Sequence, residues 1–167
     1  GFITENIFRA IEGKAKVLAI NTQTNAANAG YNLITKYFNP NYVCLDESEV
    51  RLAAQKKHSD IEEIVQCIRE SLNAHYLIVT MGKRGSLGVN SEGKINRTPV
   101  FSTQVVDTIG AGDAFFAFTA PCFAQGLPLD LVSFFGNAVG ALAVQIVCNK
   151  RAIEKDELLN FINTLVK

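Results

Sequence analysis

Apolar positions along the chain alternate between continuous short runs and a helical period of three to four, a pattern that predicts strands separated by helices. KVLAIN at 16 to 21 predicts a short buried strand and is followed by the polar loop TQTNAANAG. Apolar residues then recur at Tyr31, Leu33, Ile34 and Phe38 until Asn39 and Pro40 stop the segment. YVCL at 42 to 45 predicts a second strand. DESEVRLAAQ after it predicts a short helix whose opening acids suit the positive end of the helix dipole. Ser59 and Glu62 make a capping-box pattern ahead of Ile61, Ile64, Val65, Ile68 and Leu72, which repeat at helical spacing. YLIVTM at 76 to 81 is continuously apolar and ends in GKRG, as a central strand buried on both faces would. SLGVN and GKINRTPV predict a hairpin turning at Glu92 and Gly93.

In the second half, Val105 and Val106 lead into DTIGAGD, and AFFAFTAPCFAQG predicts a helix that ends at Gly126. Pro128 opens a long apolar helix, and IEKDELLNFINTLV closes the chain as an amphipathic one. Strands alternating with helices imply an α/β fold with a mostly parallel sheet and helices on both faces. With neither an internal repeat nor a linker, residues 1–167 read as one domain. LVSFFGNAVGALAVQIVC, residues 131 to 148, is apolar enough to resemble a membrane span, with Gly136 and Gly140 at small-xxx-small spacing. Ser133, Asn137 and Gln145 fall on one stripe of it and no cationic flank marks a membrane side, which favours a core helix whose polar stripe faces something polar.

Composition narrows the function classes. The chain has 167 residues, 48% hydrophobic and 19% charged, which is enough apolar material for a real core. Lys plus Arg and Asp plus Glu are both 16, so no net field favours a polyanion, and no basic run interleaved with aromatics suggests nucleic acid. Cys44, Cys67, Cys122 and Cys148 are scattered within apolar patterns without a CxxC pair, the usage of buried thiols in a reducing, cytoplasmic setting. The first residues, GFITENIFRAIEGKAK, do not resemble a signal peptide. His58 and His75 stand apart from Cys or acid partners and suggest no zinc site.

The chemistry concentrates in DTIGAGD, residues 107 to 113. Gly110, Ala111 and Gly112 leave the backbone free of bulk at a helix start, where unpaired N–H groups and the dipole attract anions, phosphate above all. Asp113 falls in the first turn, where a carboxylate is favoured and can accept a proton. An anion cradle beside a carboxylate is what phosphoryl transfer to an alcohol requires. The competing reading is a tight strand-to-helix turn followed by an ordinary first-turn acid. Neither GxGxxG nor GxxxxGK[ST] is present, so the standard nucleotide motifs do not choose between the two.

DTIGAGDAFFAF resembles the C-terminal signature of the ribokinase/PfkB family of carbohydrate kinases. VTMGKRGS at 79 to 86 resembles the strand and Gly turn that precede that signature. LDESE at 45 to 49 is similar to the family's Asn-x-x-Glu motif, with Asp46 in the Asn position and Glu49 in the Glu position; the Asp is a departure. The resemblance covers the chain from about residue 16 onward and implies a ribokinase-like fold whose N-terminal part and lid are absent from this chain.

It also implies Asp113 as the base taking the proton of a sugar hydroxyl, with Gly110, Ala111 and Gly112 as an anion hole for the phosphoryl group. By the same resemblance, Thr80, Gly82 and Gly85 line ATP, Asn137 faces the adenine pocket, and Glu49 with Asp46 helps hold Mg2+ through water. Asp107 and the carbonyl of Ile109 match a monovalent cation (K+) position. Simpler readings stand beside these: first-turn acids for Asp46 and Glu49, a core amide for Asn137, a turn cap for Asp107, and a solvated pair for Lys83 and Arg84.

The loop NTQTNAANAGYN, DESEVRLA and the FFGNAVGALAV helix further resemble the kinase part of ADP-heptose synthases. The expected partners are ATP and a small sugar or sugar phosphate, without nucleic acid or membrane, and self-association into a homo-oligomer is expected of a fragment with an exposed sheet edge. A non-catalytic nucleotide-binding or interaction domain on the same scaffold is the alternative.

Overall fold

The computed structural model describes residues 3–24, 27–102 and 104–166. Asn25 and Ala26, in the polar loop expected after the first strand, lie outside the described residues. Among the described residues, five strands form one sheet in the hydrogen-bonded order β1-β2-β3-β4-β5: β1 Ala19–Asn21, β2 Tyr42–Asp46, β3 Tyr76–Thr80, β4 Ser86–Asn90 and β5 Ile95–Thr98. β1 and β2 are parallel, with Ala19 opposite Tyr42 and Asn21 opposite Cys44. Tyr42–Leu45 and Leu77–Val79 are buried throughout, so both faces of these strands are covered, as a mostly parallel sheet demands.

The end of the sheet departs from the parallel pattern. β3 and β4 are joined only by Met81 to Gly85, far too short for a parallel crossover, so β4 returns antiparallel. β4 and β5 form the expected hairpin: Gly93 N donates to Asn90 O, and the Asn90 side chain accepts from the N–H groups of Glu92 and Lys94.

Among the described residues, six helices accompany the sheet: α1 Glu5–Ile11, α2 Glu47–Ala54, α3 Ile61–Leu72, α4 Ala111–Ala124, α5 Leu129–Ala143 and α6 Lys155–Leu165. By packing, the chain forms two compact units, one of Gly1–Val79 with Gly88–Ile95 and one of Thr80–Leu87 with Asn96–Lys167. In the first, α2 packs on α3, whose buried residues Ile61, Ile64, Val65, Ile68 and Leu72 are those the periodicity picked out. In the second, α4 packs mainly on α5, and α6 lies against α5. A Cβ on Gly136 would overlap the ring of Phe115 and the methyl of Thr119, so this glycine sets how closely α4 and α5 approach.

Several expectations are corrected. The N-cap of α3 is Asp60, whose carboxylate accepts from Glu62 N and Glu63 N; the helix starts at Ile61, which places Ser59 one residue too early to cap it. The apolar segment at 31 to 38 yields one 3₁₀ turn, Ile34–Lys36, because only Ile34 and Tyr37 are buried while Tyr31 and Phe38 face solvent. The run at 131 to 148 is not one helix. α5 ends at Ala143, and a 3₁₀ turn, Val147–Asn149, follows with Cys148 in the left-handed region. Ser133 and Asn137 are buried, but Gln145 lies beyond the helix and is exposed. No helix among the described residues is long and apolar enough to cross a membrane. Only Cys44 is a buried thiol, with a pKa that burial pushes up to about 12; Cys67 and Cys148 are exposed and Cys122 is half-buried. The sequence reading also missed α1, which Thr4 caps and which Phe8 anchors edge-on to Tyr37 with ring centroids 5.1 Å apart.

Candidate active site

The Gly-rich stretch forms the N-terminus of α4. Gly110 is its N-cap at φ 79°, ψ −1°, a left-handed conformation that a glycine adopts without strain. Among the described residues, no side chain caps this end. Ala111 N makes a long bond of 3.3 Å to Thr108 O and so closes the turn. Among the described residues, the N–H groups of Gly112 and Asp113 have no partner, as first-turn donors have none within a helix. Nothing lies within 4 Å of where a Cβ on Gly112 would sit, so the approach to these donors is open. The Asp113 side chain is exposed in the same turn and takes no hydrogen bond or ion pair among the described residues. The site therefore offers unpaired donors, a positive helix end and an uncommitted carboxylate within one turn.

Asp107 is fixed differently. Its Oδ1 accepts from Ile109 N at 2.9 Å and its Oδ2 from Cys148 N at 2.8 Å, and these backbone donors hold its pKa below the ordinary carboxylate range. Val106 N and Asp107 N both donate to Val144 O, at 2.8 and 3.0 Å. Sequence reasoning missed Val144 and Cys148, because a bond to a backbone group far along the chain leaves no mark on residue types.

In the same unit, Thr80, Gly82 and Gly85 share the turn between β3 and β4, closed by Met81 N on Gly85 O at 2.8 Å. Gly85 sits at φ 79°, ψ −133°, and a Cβ there would collide with Thr98 O and lie 2.8 to 2.9 Å from the Pro99 backbone. Asn137 does not line an open wall. It is buried, and its Nδ2 donates to Ser86 Oγ at 2.6 Å and to Ser133 O at 2.8 Å, which is the core-amide arrangement.

Asp46 and Glu49 belong to the other unit, where they form the capping box of α2. Asp46 Oδ1 accepts from Glu49 N at 2.8 Å and from Ser48 Oγ at 2.7 Å. Glu49, nearly buried, accepts from Asp46 N through Oε2 and from Thr24 N through Oε1, both at 2.9 Å. Asp is as good a cap as Asn, so the departure at Asp46 preserves this local task. Among the described residues, no three His, Cys, Asp or Glu side chains gather as a metal-ion ligand set.

Residues 8–148 match the pfkB family carbohydrate kinase. The chain belongs to this family. Among curated relatives, the 1-phosphofructokinase of Haemophilus influenzae is 34% identical over 88 residues, 52% of this chain and 28% of that protein. The bifunctional protein HldE of Campylobacter jejuni is 24% identical over 164 residues, 96% of this chain and 34% of that protein. Among solved structures, phosphofructokinase-2 from Escherichia coli in complex with potassium superposes with a TM-score of 0.80 at 20% identity, over 97% of this chain and 52% of that one. The fold is thus the ribokinase-like fold of pfkB kinases, and the chain spans about a third of these two curated relatives and about half of this solved structure.

Proposed function

We propose that this pfkB-family chain carries the ATP-binding and proton-accepting part of a carbohydrate kinase that transfers the γ-phosphoryl group of ATP to a sugar hydroxyl. The observation that supports the reading is the open start of α4, where the unpaired N–H groups of Gly112 and Asp113 adjoin a carboxylate with no other task. In this reading Gly110, Ala111 and Gly112 present the phosphoryl group to the helix end, where fixed donors stabilise charge that grows in the transition state. Asp113 takes the hydroxyl proton as the alcohol oxygen attacks phosphorus, and the bond to the β-phosphate oxygen breaks. Thr80 and Gly82 contact the nucleotide from the β3–β4 turn, while Gly85 and Asn137 act from behind, Gly85 against Pro99 and Asn137 by orienting Ser86.

Direct Mg2+ coordination by Glu49 does not fit, since both its oxygens already accept backbone N–H groups. The exposed Asp46, with Glu49 beside it, suits a contact to hydrated Mg2+ through water, and Mg2+ supplies charge neutralisation when bound. For a monovalent cation such as K+, the Ile109 carbonyl, which accepts no hydrogen bond among the described residues, is the open ligand, while both oxygens of Asp107 already accept backbone N–H groups. The acceptor is proposed to be a small sugar or sugar phosphate.

The test is calorimetric titration with Mg·ATP of the wild-type chain and of Gly112→Asp, which sets a carboxylate over the unpaired donors without a steric clash. Saturable binding abolished by the substitution supports the cradle. Binding that survives it locates the phosphates elsewhere, and a folded wild type that does not bind removes the assignment from this chain.

A further inference from the structure

The turn that leads into α4 is not held by apolar packing: Val105, Val106 and Ile109 are 43%, 63% and 62% exposed. What fixes it is polar. Val106 N and Asp107 N converge on Val144 O, and the Asp107 carboxylate bridges Ile109 N on one side to Cys148 N on the other. Cys148 holds φ 49°, ψ 36°, a conformation uncommon for a residue with a side chain, and it aims its N–H at Asp107 from there. Resting on the phosphoryl-binding reading above, we infer that Asp107 is a positioning residue for the anion cradle: its carboxylate ties the Gly-rich turn to the backbone of residue 148 and so fixes where the Gly112 and Asp113 donors stand. The depressed pKa of Asp107 agrees with this, since the N–H groups of Ile109 and Cys148 are its two largest causes.

The experiment compares wild type, Asp107→Ala, Asp107→Asn and Cys148→Gly by hydrogen exchange at single amides and by Mg·ATP titration in KCl and in NaCl. In Asp107→Ala the amides of Ile109 and Cys148 exchange at least roughly tenfold faster, and ATP affinity falls by at least roughly tenfold in both salts, the scale of one lost charge-assisted hydrogen bond. Asp107→Asn, which keeps one acceptor oxygen, falls between. Cys148→Gly keeps the N–H and suits the positive φ but removes the weaker bond of the thiol to Asp107, so it loses less than Asp107→Ala in both measurements.

Wild-type exchange in Asp107→Ala overturns the inference, as does unchanged affinity in that variant when the wild type binds. A loss of affinity seen only in KCl makes Asp107 a cation ligand instead. Loss in Cys148→Gly equal to that in Asp107→Ala transfers the role to the thiol. If the wild type does not bind ATP, the proposed function fails and the exchange rates alone decide the tie.

Discussion

Gly85→Ala isolates one structural demand. The residue sits at φ 79°, ψ −133°, and an added methyl would run into the Thr98 carbonyl oxygen and the Pro99 backbone, neither of which is the movable end of a side chain. Backbone strain of this kind costs about 1–3 kcal/mol. Forcing a methyl into packed backbone costs about another 1–3 kcal/mol. Together these come to about 2–6 kcal/mol, and at about 2–4 °C per kcal/mol for a chain of this size the melting temperature should fall by roughly 4–24 °C. Gly82→Ala is the internal control: φ is 56°, but no atom lies within 4 Å of its Cβ, so only the left-handed penalty of about 1–2 kcal/mol applies. Thermal melts followed by circular dichroism, with urea titrations to check that the m-value is unchanged, measure both. Equal shifts in the two variants, or a larger shift at Gly82, would refute the claim that β5 and Pro99 close over Gly85.

Three further outcomes are expected. Asp113→Asn leaves the melting temperature and ATP affinity near wild type while lowering phosphoryl-transfer turnover of the enzyme by at least roughly 10²-fold, measured by coupled assay. Glu49→Ala strips the acceptor from Asp46 N and Thr24 N and should destabilise by about 1–3 kcal/mol, read from the urea midpoint. Because the Asp107 pKa is lowered on folding, its stabilising contribution is complete above the ordinary carboxylate range and is lost as pH falls through the lowered value. The stability gap between wild type and Asp107→Ala should therefore be open at neutral pH and close on acidification below about pH 4; a gap independent of pH would disprove the charge-dependent bond.

Periodicity made the elements with a buried face legible: β2, β3 and α3 run nearly where their apolar residues placed them. It failed where burial and period part company. Tyr31 and Phe38 look apolar-periodic yet face solvent, and the run at 131 to 148 stays apolar through a left-handed break at Cys148 that hydrophobicity cannot register. α1 went unseen because a helix of seven residues with one buried side chain, Phe8, has almost no periodic signal. At the site, unpaired donors at a Gly-rich helix start and a first-turn acid follow from residue order, but the helix begins at Ala111, inside the Gly-rich stretch, and not at the apolar run after it. The long-range ties were not, since Thr24 N on Glu49, Cys148 N on Asp107 and Ser86 on Asn137 join residues that only the fold brings together.

Those ties separate the acids that residue types alone left equivalent. Asp46, Glu49 and Asp107 each accept backbone N–H groups, and each fastens a turn: the start of α2, the segment at Thr24, and the approach to α4. A carboxylate used in this way is held in one orientation by its donors, which suits a fastener and ill suits a group that must turn toward a reacting hydroxyl. Asp113 has no such bond, is exposed, and sits one residue past the open Gly112 donor. Replacement by the isosteric amide should accordingly sort the four: stability or loop order moves with the first three, turnover with Asp113 alone. In the proposed mechanism Asp113 is set apart less by what its carboxylate touches than by its freedom from the structural work that holds the other three.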